Sequence, residues 1–456
     1  MSVQGDRLRG HARAIWQAGV DAVAPERLVR AACGVRGRSL NIGPERILLD
    51  AIGRIGVVGT GKAGAAMSRA VEEILGERLA REKQLRGCVN VPDRAAAPLR
   101  HIHLHPSRFA PDNKPTEAGT EGSRQIRHIL ESAGPNDMCI CLLSGGGSAL
   151  MPAPVPGVSL ADKQAITGML HASGAMIGEL NAVRKHLSQL KGGGLVRLFR
   201  GRWLVSLIIS DVVGDPLDVI ASGPTAADRS TFAVAWGVLE KYGLLDRAPS
   251  SVIEHLAAGK RGRQPETLKR LPKHVTNCVI GNNATAVVAA ARAARKFGYR
   301  VLNLSSYIEG DSRQVGVVLA GIARGVRERR EPIGPPACIL SGGETTVALG
   351  AEHGLGWRNQ ELVLSALHHL GVAGLRDVAI LSGGTDGEDG PTDAAGAVAD
   401  ESLARLAARR GLDAAAFLNR HDSYHFFEPL GGLIKTGLTD TNVMDLRVIL
   451  VGAPLV

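Results

Sequence analysis

The chain has 456 residues, 45% hydrophobic and 21% charged, with a net charge of +10. That length fits two or three domains with a sizeable core. Its 57 glycines cluster between apolar runs without a repeating period, and its six cysteines include no CxxC pair, so collagenous, disordered and disulfide-stapled chains are excluded. The cysteines sit mostly inside apolar runs and read as buried reduced thiols. The 42 Arg and 12 Lys are scattered, and only 15 residues are aromatic. An anionic small molecule fits that surface better than nucleic acid. No apolar run reaches the ~18 residues of a membrane helix, and charges interrupt any signal-peptide core near the N-terminus. The expectation is a cytoplasmic protein with no membrane association.

In chain order, Leu8 to Leu49 shows apolar residues at helical spacing and is expected to be helical. Strands are expected at Arg54–Val58, Cys88–Pro92, Met138–Leu143 and Trp203–Ser210, each an apolar run meeting a glycine or proline signal. Thr231 to Lys273 turns helical and basic. Further strands are expected at Asn277–Ile280, Ala337–Leu340 and Val378–Leu381, with one more near the C-terminus. The repeated unit of strand, glycine loop and helix predicts an α/β protein with helices on both faces of largely parallel sheets. A boundary near Leu271 divides it into residues 1–270 and 271–456.

Ligands of open α/β sheets bind at the carboxyl ends of strands, where these glycine loops fall. Gly59-Thr60-Gly61-Lys62-Ala63-Gly64 matches GxGxxG, but the acidic residue expected at the next strand end is absent, Asp93 coming late. Lys62 at a helix start suits phosphate or carboxylate; a dinucleotide and a plain turn with Lys62 solvated remain open. Ser144-Gly145-Gly146-Gly147-Ser148 lets backbone N–H groups approach an anion, or is an ordinary turn. Asp211 and Asp215 follow a strand, where Asp211 is a candidate metal ligand or base, or a turn cap. Arg358, Asn359 and Gln360 open a helix, and Arg suits a phosphoryl group. The acid-rich SGGTDGEDGPTD segment fits a divalent cation without the order of an EF-hand loop. His101, His103 and His105 alternate on a short segment, a geometry that could bind metal but reads first as a solvated strand face. No GxSxG elbow anchors a hydrolase triad.

Nine segments, among them GTGKAGAAM, LLSGGGSALMP, NAVRKHLSQLKGGGL, ISDVVGDPLDVIASGPT, RNQEL and LSGGTDGEDGPTDAAGA, occur in one order from about Ala12 to Val451. Together they resemble the class II D-glycerate 2-kinases, whose C-terminal part is the MOFRL domain. The resemblance implies two three-layer domains, Rossmann-like and then MOFRL, with the active site in an interdomain cleft. It implies transfer of the ATP γ-phosphoryl group to the 2-hydroxyl of D-glycerate with Mg2+, and essential roles for Lys62 and Arg358. Placed beside these by charge and position are Asp211 as a catalytic group, and Asp211 or Asp386 at the metal. Ser144, Gly145, Gly146, Gly147, Ser148, Asn283, Gly342, Gly343 and Glu344 are placed at the nucleotide. A homo-oligomer is compatible with this reading. The sequence departs from the family pattern at Leu355, Trp357, Leu438 and Asp440, and in the stretch His105-Pro106-Ser107-Arg108-Phe109-Ala110-Pro111-Asp112. A hydroxypyruvate reductase and a non-catalytic metabolite-binding relative stay open as alternatives.

Overall fold

The structure is a computed structural model that describes residues 3–108, 114–350 and 352–452. Phe109 to Asp112, part of the altered histidine-proline stretch, lie outside the described residues. The chain forms two compact units, one of residues 25–280 and one joining residues 1–24 to 281–456. This differs from the expected division at 270/271. The strand Val275–Gly281 still belongs to the sheet of the first unit, with Leu204 N donating to His274 O beside it. The helix Val3–Ala22 buries Leu8, Ala12, Ile15, Trp16 and Val20 against Val287, Ala290 and Ala294 of the helix Asn283–Lys296 and against strands of the second unit.

The 25–280 unit begins with three short antiparallel strands, β1 (Cys33–Arg36), β2 (Ser39–Ile42) and β3 (Glu45–Leu48). They replace the last part of the expected helical stretch, which ends at Ala32. Six strands follow: β4 (Ile55–Thr60), β5 (Arg86–Pro92), β6 (Ile102–Arg108), β7 (Met138–Leu143), β8 (Trp203–Ile209) and β9 (Val275–Gly281). Their order is β6-β5-β4-β7-β8-β9, and the pairs from β6 through β8 are all parallel. The chain moves outward one way from β4 and then the other way from β7. A crevice therefore opens at their carboxyl ends, the place where such sheets bind ligands.

The second sheet runs β10 (Arg300–Asp311), β11 (Ala337–Thr346), β15 (Asp445–Val451), β12 (Val378–Gly384), β13 (Gly396–Asp400) and β14 (Leu433–Ile434). It is mixed rather than largely parallel. β10 and β11 are parallel, but β15 enters between β11 and β12 antiparallel to both, and β13 is antiparallel to β12. Alternate residues face two helical layers. Ile339, Ile380 and Ile449 meet the layer that includes Leu362, Val363 and Ala366, while Leu340, Leu381 and Val448 meet the one holding Trp16 and Ala290. Five of the six cysteines are buried and all are free thiols. Among the described residues no helix is long and apolar enough to cross a membrane.

Candidate functional site

Each unit carries one polar constellation. In the 25–280 unit it is built where β4 and β7 lie side by side, with Thr60 in register with Leu143. The loops after the two strands interlock. Ser144 N donates to Thr60 O at 3.1 Å, Lys62 N to Gly145 O at 2.8 Å, and Ala63 N to Ser144 Oγ at 3.0 Å. Gly61 makes this approach feasible: its φ is +134°, and a Cβ there would stand 2.2 Å from Ser144 Oγ. The sequence singled out these loops separately, and the sheet brings them together. The half-buried Lys62 side chain passes within 3.6 Å of the space a Cβ on Gly146 would take.

The loop differs from the expected cradle in one respect. Its Ser144 and Gly147 N–H groups are spent on Thr60 O and Ser144 O. Ser148 is committed as well. Its Oγ accepts from Arg184 Nη2 at 2.6 Å and Lys191 Nζ at 2.7 Å, and lies 2.9 Å from Ser222 Oγ. Ser222 Oγ donates in turn to Asn181 Oδ1 at 3.2 Å. Asp211 follows β8 at the same end of the sheet and is half-buried.

The second constellation centres on Asp445, fully buried at the start of β15 and in register with Gly343 of β11 and Gly384 of β12. The helix Arg358–Gly374 points its first turn here. Arg358 Nε lies 3.0 Å from Asp445 Oδ2, and its Nη1 2.5 Å from Glu344 Oε1. Burial opposes the Arg358 charge, but Asp445, Glu344 and Asp389 outweigh it and hold the guanidinium protonated even more firmly than usual. Asn359 Nδ2 donates to Asp445 Oδ1 at 2.9 Å and to Asp389 Oδ1 at 3.1 Å. Asp389 also caps the helix from outside, accepting from Asn359 N at 3.0 Å and Gln360 N at 2.9 Å. Burial pushes its carboxyl up to about 7, the two N–H bonds acting against that rise. Arg447, 1% exposed, donates to Gly342 O at 3.0 Å and reaches Asp445 Oδ2 at 3.3 Å.

Several expected positions therefore change character. Asn283 is buried and clamps the chain at the start of β15, its Nδ2 donating to Val443 O and Asp445 O. Its Oδ1 stands where any Cβ on Gly342 would fall, so Gly342 is needed for this clamp. Of the acids in the glycine-rich segment, Asp389 enters the constellation. Asp386 is half-buried, accepts from Glu388 N at 3.3 Å, and bonds through its carbonyl to Thr439 N. Asp393 pairs instead with Lys435 at 2.9 Å. Sequence reasoning counted Asp389 among the acids of the glycine-rich segment without giving it this role, and missed Asp445, Arg184 and Lys191, although each lies in a segment that carried the family resemblance.

Trp357 precedes the helix and is half-buried, packed over Gly390. Leu355 rests against the apolar cluster of its unit, whereas Leu438 and Asp440 are exposed. On β6, His103 is exposed and contacts His105 at 3.3 Å, while His105 also meets Ala118 O at 2.7 Å. Among the described residues no group of three or more His, Cys, Asp or Glu could hold a metal ion. A dedicated protein cage is thus not formed there. A magnesium ion bound mainly by nucleotide phosphates needs only one or two carboxylates.

Comparison with known proteins gives the family. A model described as a domain of unknown function (DUF4147) matches residues 11–257, and the MOFRL family model matches residues 337–445. A glycerate 2-kinase of Pyrococcus horikoshii is 37% identical, the match covering 88% of each chain. A putative hydroxypyruvate reductase of Agrobacterium vitis is 41% identical, again over 88% of each chain. The crystal structure of a glycerate kinase from Thermotoga maritima superposes with a TM-score of 0.85 at 35% identity, covering 98% of this chain and all of that one. With a DUF4147 domain followed by a MOFRL domain, and relatives this similar over nearly its whole length, the chain belongs to the glycerate kinase family.

Proposed function

We propose that the protein transfers the γ-phosphoryl group of ATP to the 2-hydroxyl of D-glycerate, giving 2-phosphoglycerate and ADP. The observation that carries this reading is the interlocked pair of loops at the β4–β7 crevice, where Lys62 and a triple-glycine turn meet at the carboxyl ends of two parallel strands. The glycerate kinases among its relatives support the same chemistry.

In this reading Lys62 balances the charge of an oxyanion, the glycerate carboxylate or the transferring phosphoryl group. Arg358 serves the phosphoryl group. A guanidinium has five N–H donors, and Asp445 and Glu344 engage two of its three nitrogens. Those carboxylates fix its orientation and leave donors for charge that builds in the transition state. The new bond joins the hydroxyl oxygen to γ-phosphorus, the bond from γ-phosphorus to the bridging oxygen of ADP breaks, and Asp211 or Asp386 accepts the hydroxyl proton. The other of these carboxylates would help to hold magnesium, which would supply charge neutralisation to the nucleotide phosphates.

The alternative hydride-transfer reading has a foothold in the strand order and in GxGxxG. The end of β5 weakens it. Asn90, two residues before the last of β5, is buried, its amide donating to Gly119 O at 3.1 Å and Leu150 O at 2.8 Å, and the first acid after it, Asp93, falls in the turn beyond the strand and not on it. The test is ADP formation from ATP and D-glycerate, with the product's phosphate located by NMR. Activity should vanish with excess EDTA and return with magnesium. Metal-independent NADH oxidation by hydroxypyruvate, without ADP formation, would overturn the proposal.

A further inference from the structure

Three cations crowd behind the triple-glycine loop. Lys163 lies on the helix Leu160–Ala172, Arg184 on the helix Ile177–His186, and Lys191 in the turn that follows. Lys163 is 5% exposed and Lys191 3%. Among the described residues no carboxylate forms an ion pair with any of the three. The neighbouring Lys185 shows how this fold neutralises a buried lysine: its Nζ meets Asp228 at 3.1 Å and Asp218 at 3.2 Å. A buried charge left without a counter-charge is costly, so its presence calls for an explanation.

The hydrogen bonds say where the charge is aimed. Lys191 Nζ donates to both Ser148 O and Ser148 Oγ at 2.7 Å, and Arg184 Nη2 donates to the same Oγ at 2.6 Å. Because Ser148 Oγ accepts from both cations, its own hydrogen is left for Ser222 Oγ, whose hydrogen goes to Asn181 Oδ1. The donor directions along this row are fixed, and each ends on a neutral acceptor. Lys191 retains one of its three N–H donors, and Arg184 retains most of its planar fork. Burial, then the charges of Arg184 and Lys163, hold the Lys191 ammonium well below its usual range, and burial followed by Arg184 lowers Lys163 to about 7. These are the marks of cations that lack an anion.

We infer that Arg184 and Lys191 form an oxyanion receptor behind the Ser144–Ser148 loop, taking the carboxylate of the acceptor or a phosphate of the donor. This deepens the kinase reading and rests on it for the identity of the anion. Ser148 is not a ligand-binding hydroxyl in this arrangement. It is the neutral peg on which both cations are held, with Ser222 and Asn181 setting its rotamer. An arriving oxyanion supplies the counter-charge that the fold omits, and the planar fork of Arg184 suits either a carboxylate or a phosphate.

The experiment compares wild type with Lys191→Met and Arg184→Gln by thermal melting in buffer alone, then with inorganic phosphate, D-glycerate or ATP added singly, and by steady-state kinetics. Removing an uncompensated buried charge should leave the melting temperature of Lys191→Met unchanged or higher in buffer. The ligand-dependent rise seen in wild type should disappear in both variants. Arg184→Gln, changed at a half-buried position, should raise one KM at least tenfold with a smaller fall in kcat. A rise confined to the KM of D-glycerate assigns the receptor to the carboxylate, and a rise confined to that of ATP assigns it to phosphate. If Lys191→Met does not fold, Arg184→Gln decides alone. Ligand-dependent melting shifts and both KM values within twofold of wild type would overturn the inference. Absence of ADP formation in wild type would instead remove the kinase reading, while the melting shift with inorganic phosphate would still decide whether the receptor exists.

Discussion

Asp389 offers a sharp physical test, because one carboxylate both caps a helix and resists ionisation. Its carboxyl is raised from the usual 3.8 to about 7, with burial as the leading cause. An unfolded chain gives up this proton near pH 4, while the folded one keeps it until near pH 7. The folded state therefore binds more protons in that window, and stability falls as pH rises from about 4 to 7 and then levels off. A rise of that size corresponds to ~4 kcal/mol, of which about 2.5 kcal/mol falls between pH 5 and pH 8. Asp389→Asn removes the titration. It also leaves one acceptor oxygen for the Asn359 and Gln360 N–H groups, a loss of ~1–2 kcal/mol. The variant should thus be less stable than wild type at pH 5 and should regain about 2.5 kcal/mol relative to it by pH 8. Native-state hydrogen exchange of the β12 and β15 amides, corrected for intrinsic rates, measures the opening of that sheet without assuming a two-state chain. Taking the difference between variant and wild type at each pH cancels the other titrating groups. A difference that does not change between pH 5 and pH 8 would refute the reasoning.

Lys62→Ala should fold normally, because the loop is fixed by backbone bonds such as Lys62 N to Gly145 O, and should lose ~2–5 kcal/mol in kcat/KM; near-normal kcat/KM would remove its assigned role. Arg358→Lys should lower kcat more than it raises KM, since an ammonium cannot meet Asp445 and Glu344 as the guanidinium does while still serving a phosphoryl group; full recovery of kcat in the lysine variant would contradict this. Gly390→Ala should cost ~1–3 kcal/mol, as its Cβ would stand 2.7 Å from Trp357 Cβ at a φ of +65°. Trp357→Gly should lower the melting temperature by itself, yet recover the clash part of that cost when combined with Gly390→Ala; purely additive melting shifts would argue against the contact.

The sequence made the short buried strands plain. Met138–Leu143 is an unbroken apolar run ending in serine and three glycines, and it forms β7 over those same residues. Residues 33–48 misled because Cys33, Leu40 and Ile47 recur at a seven-residue interval that also suits a helix, and only pairing across β1, β2 and β3 resolves the ambiguity. The antiparallel course of β15 was hidden as well, since a strand's direction depends on which neighbours it joins. At the site, glycine loops carry a local signature, which is how the Lys62 and Ser144 loops were visible. Asp445 has none, and the acid-rich segment does not mark Asp389 out from its neighbours. Their roles come from contacts with Arg358 and Asn359 across 30 to 87 positions of chain. Lys191 is one of many basic residues until burial and the lack of a carboxylate set it apart.

The helix Val3–Ala22 has a consequence for the order of events during synthesis. It is made before either six-stranded sheet, but Trp16 Nε1 donates to Gly383 O, and its apolar face is covered by the helix Asn283–Lys296 and by β12 and β15. At ~5–20 residues per second, its partners emerge on the order of tens of seconds later. Throughout that interval the whole parallel sheet of the 25–280 unit can form, while Leu8, Ile15 and Trp16 wait uncovered. Closure of the second sheet waits longer still, because β15 lies at its centre and follows β10 to β14 in the chain. The newborn protein thus passes through a stage with one finished half and one exposed amphipathic helix. That is the stage at which a chaperone holding this helix would matter most, and at which a stalled ribosome would release an aggregation-prone chain.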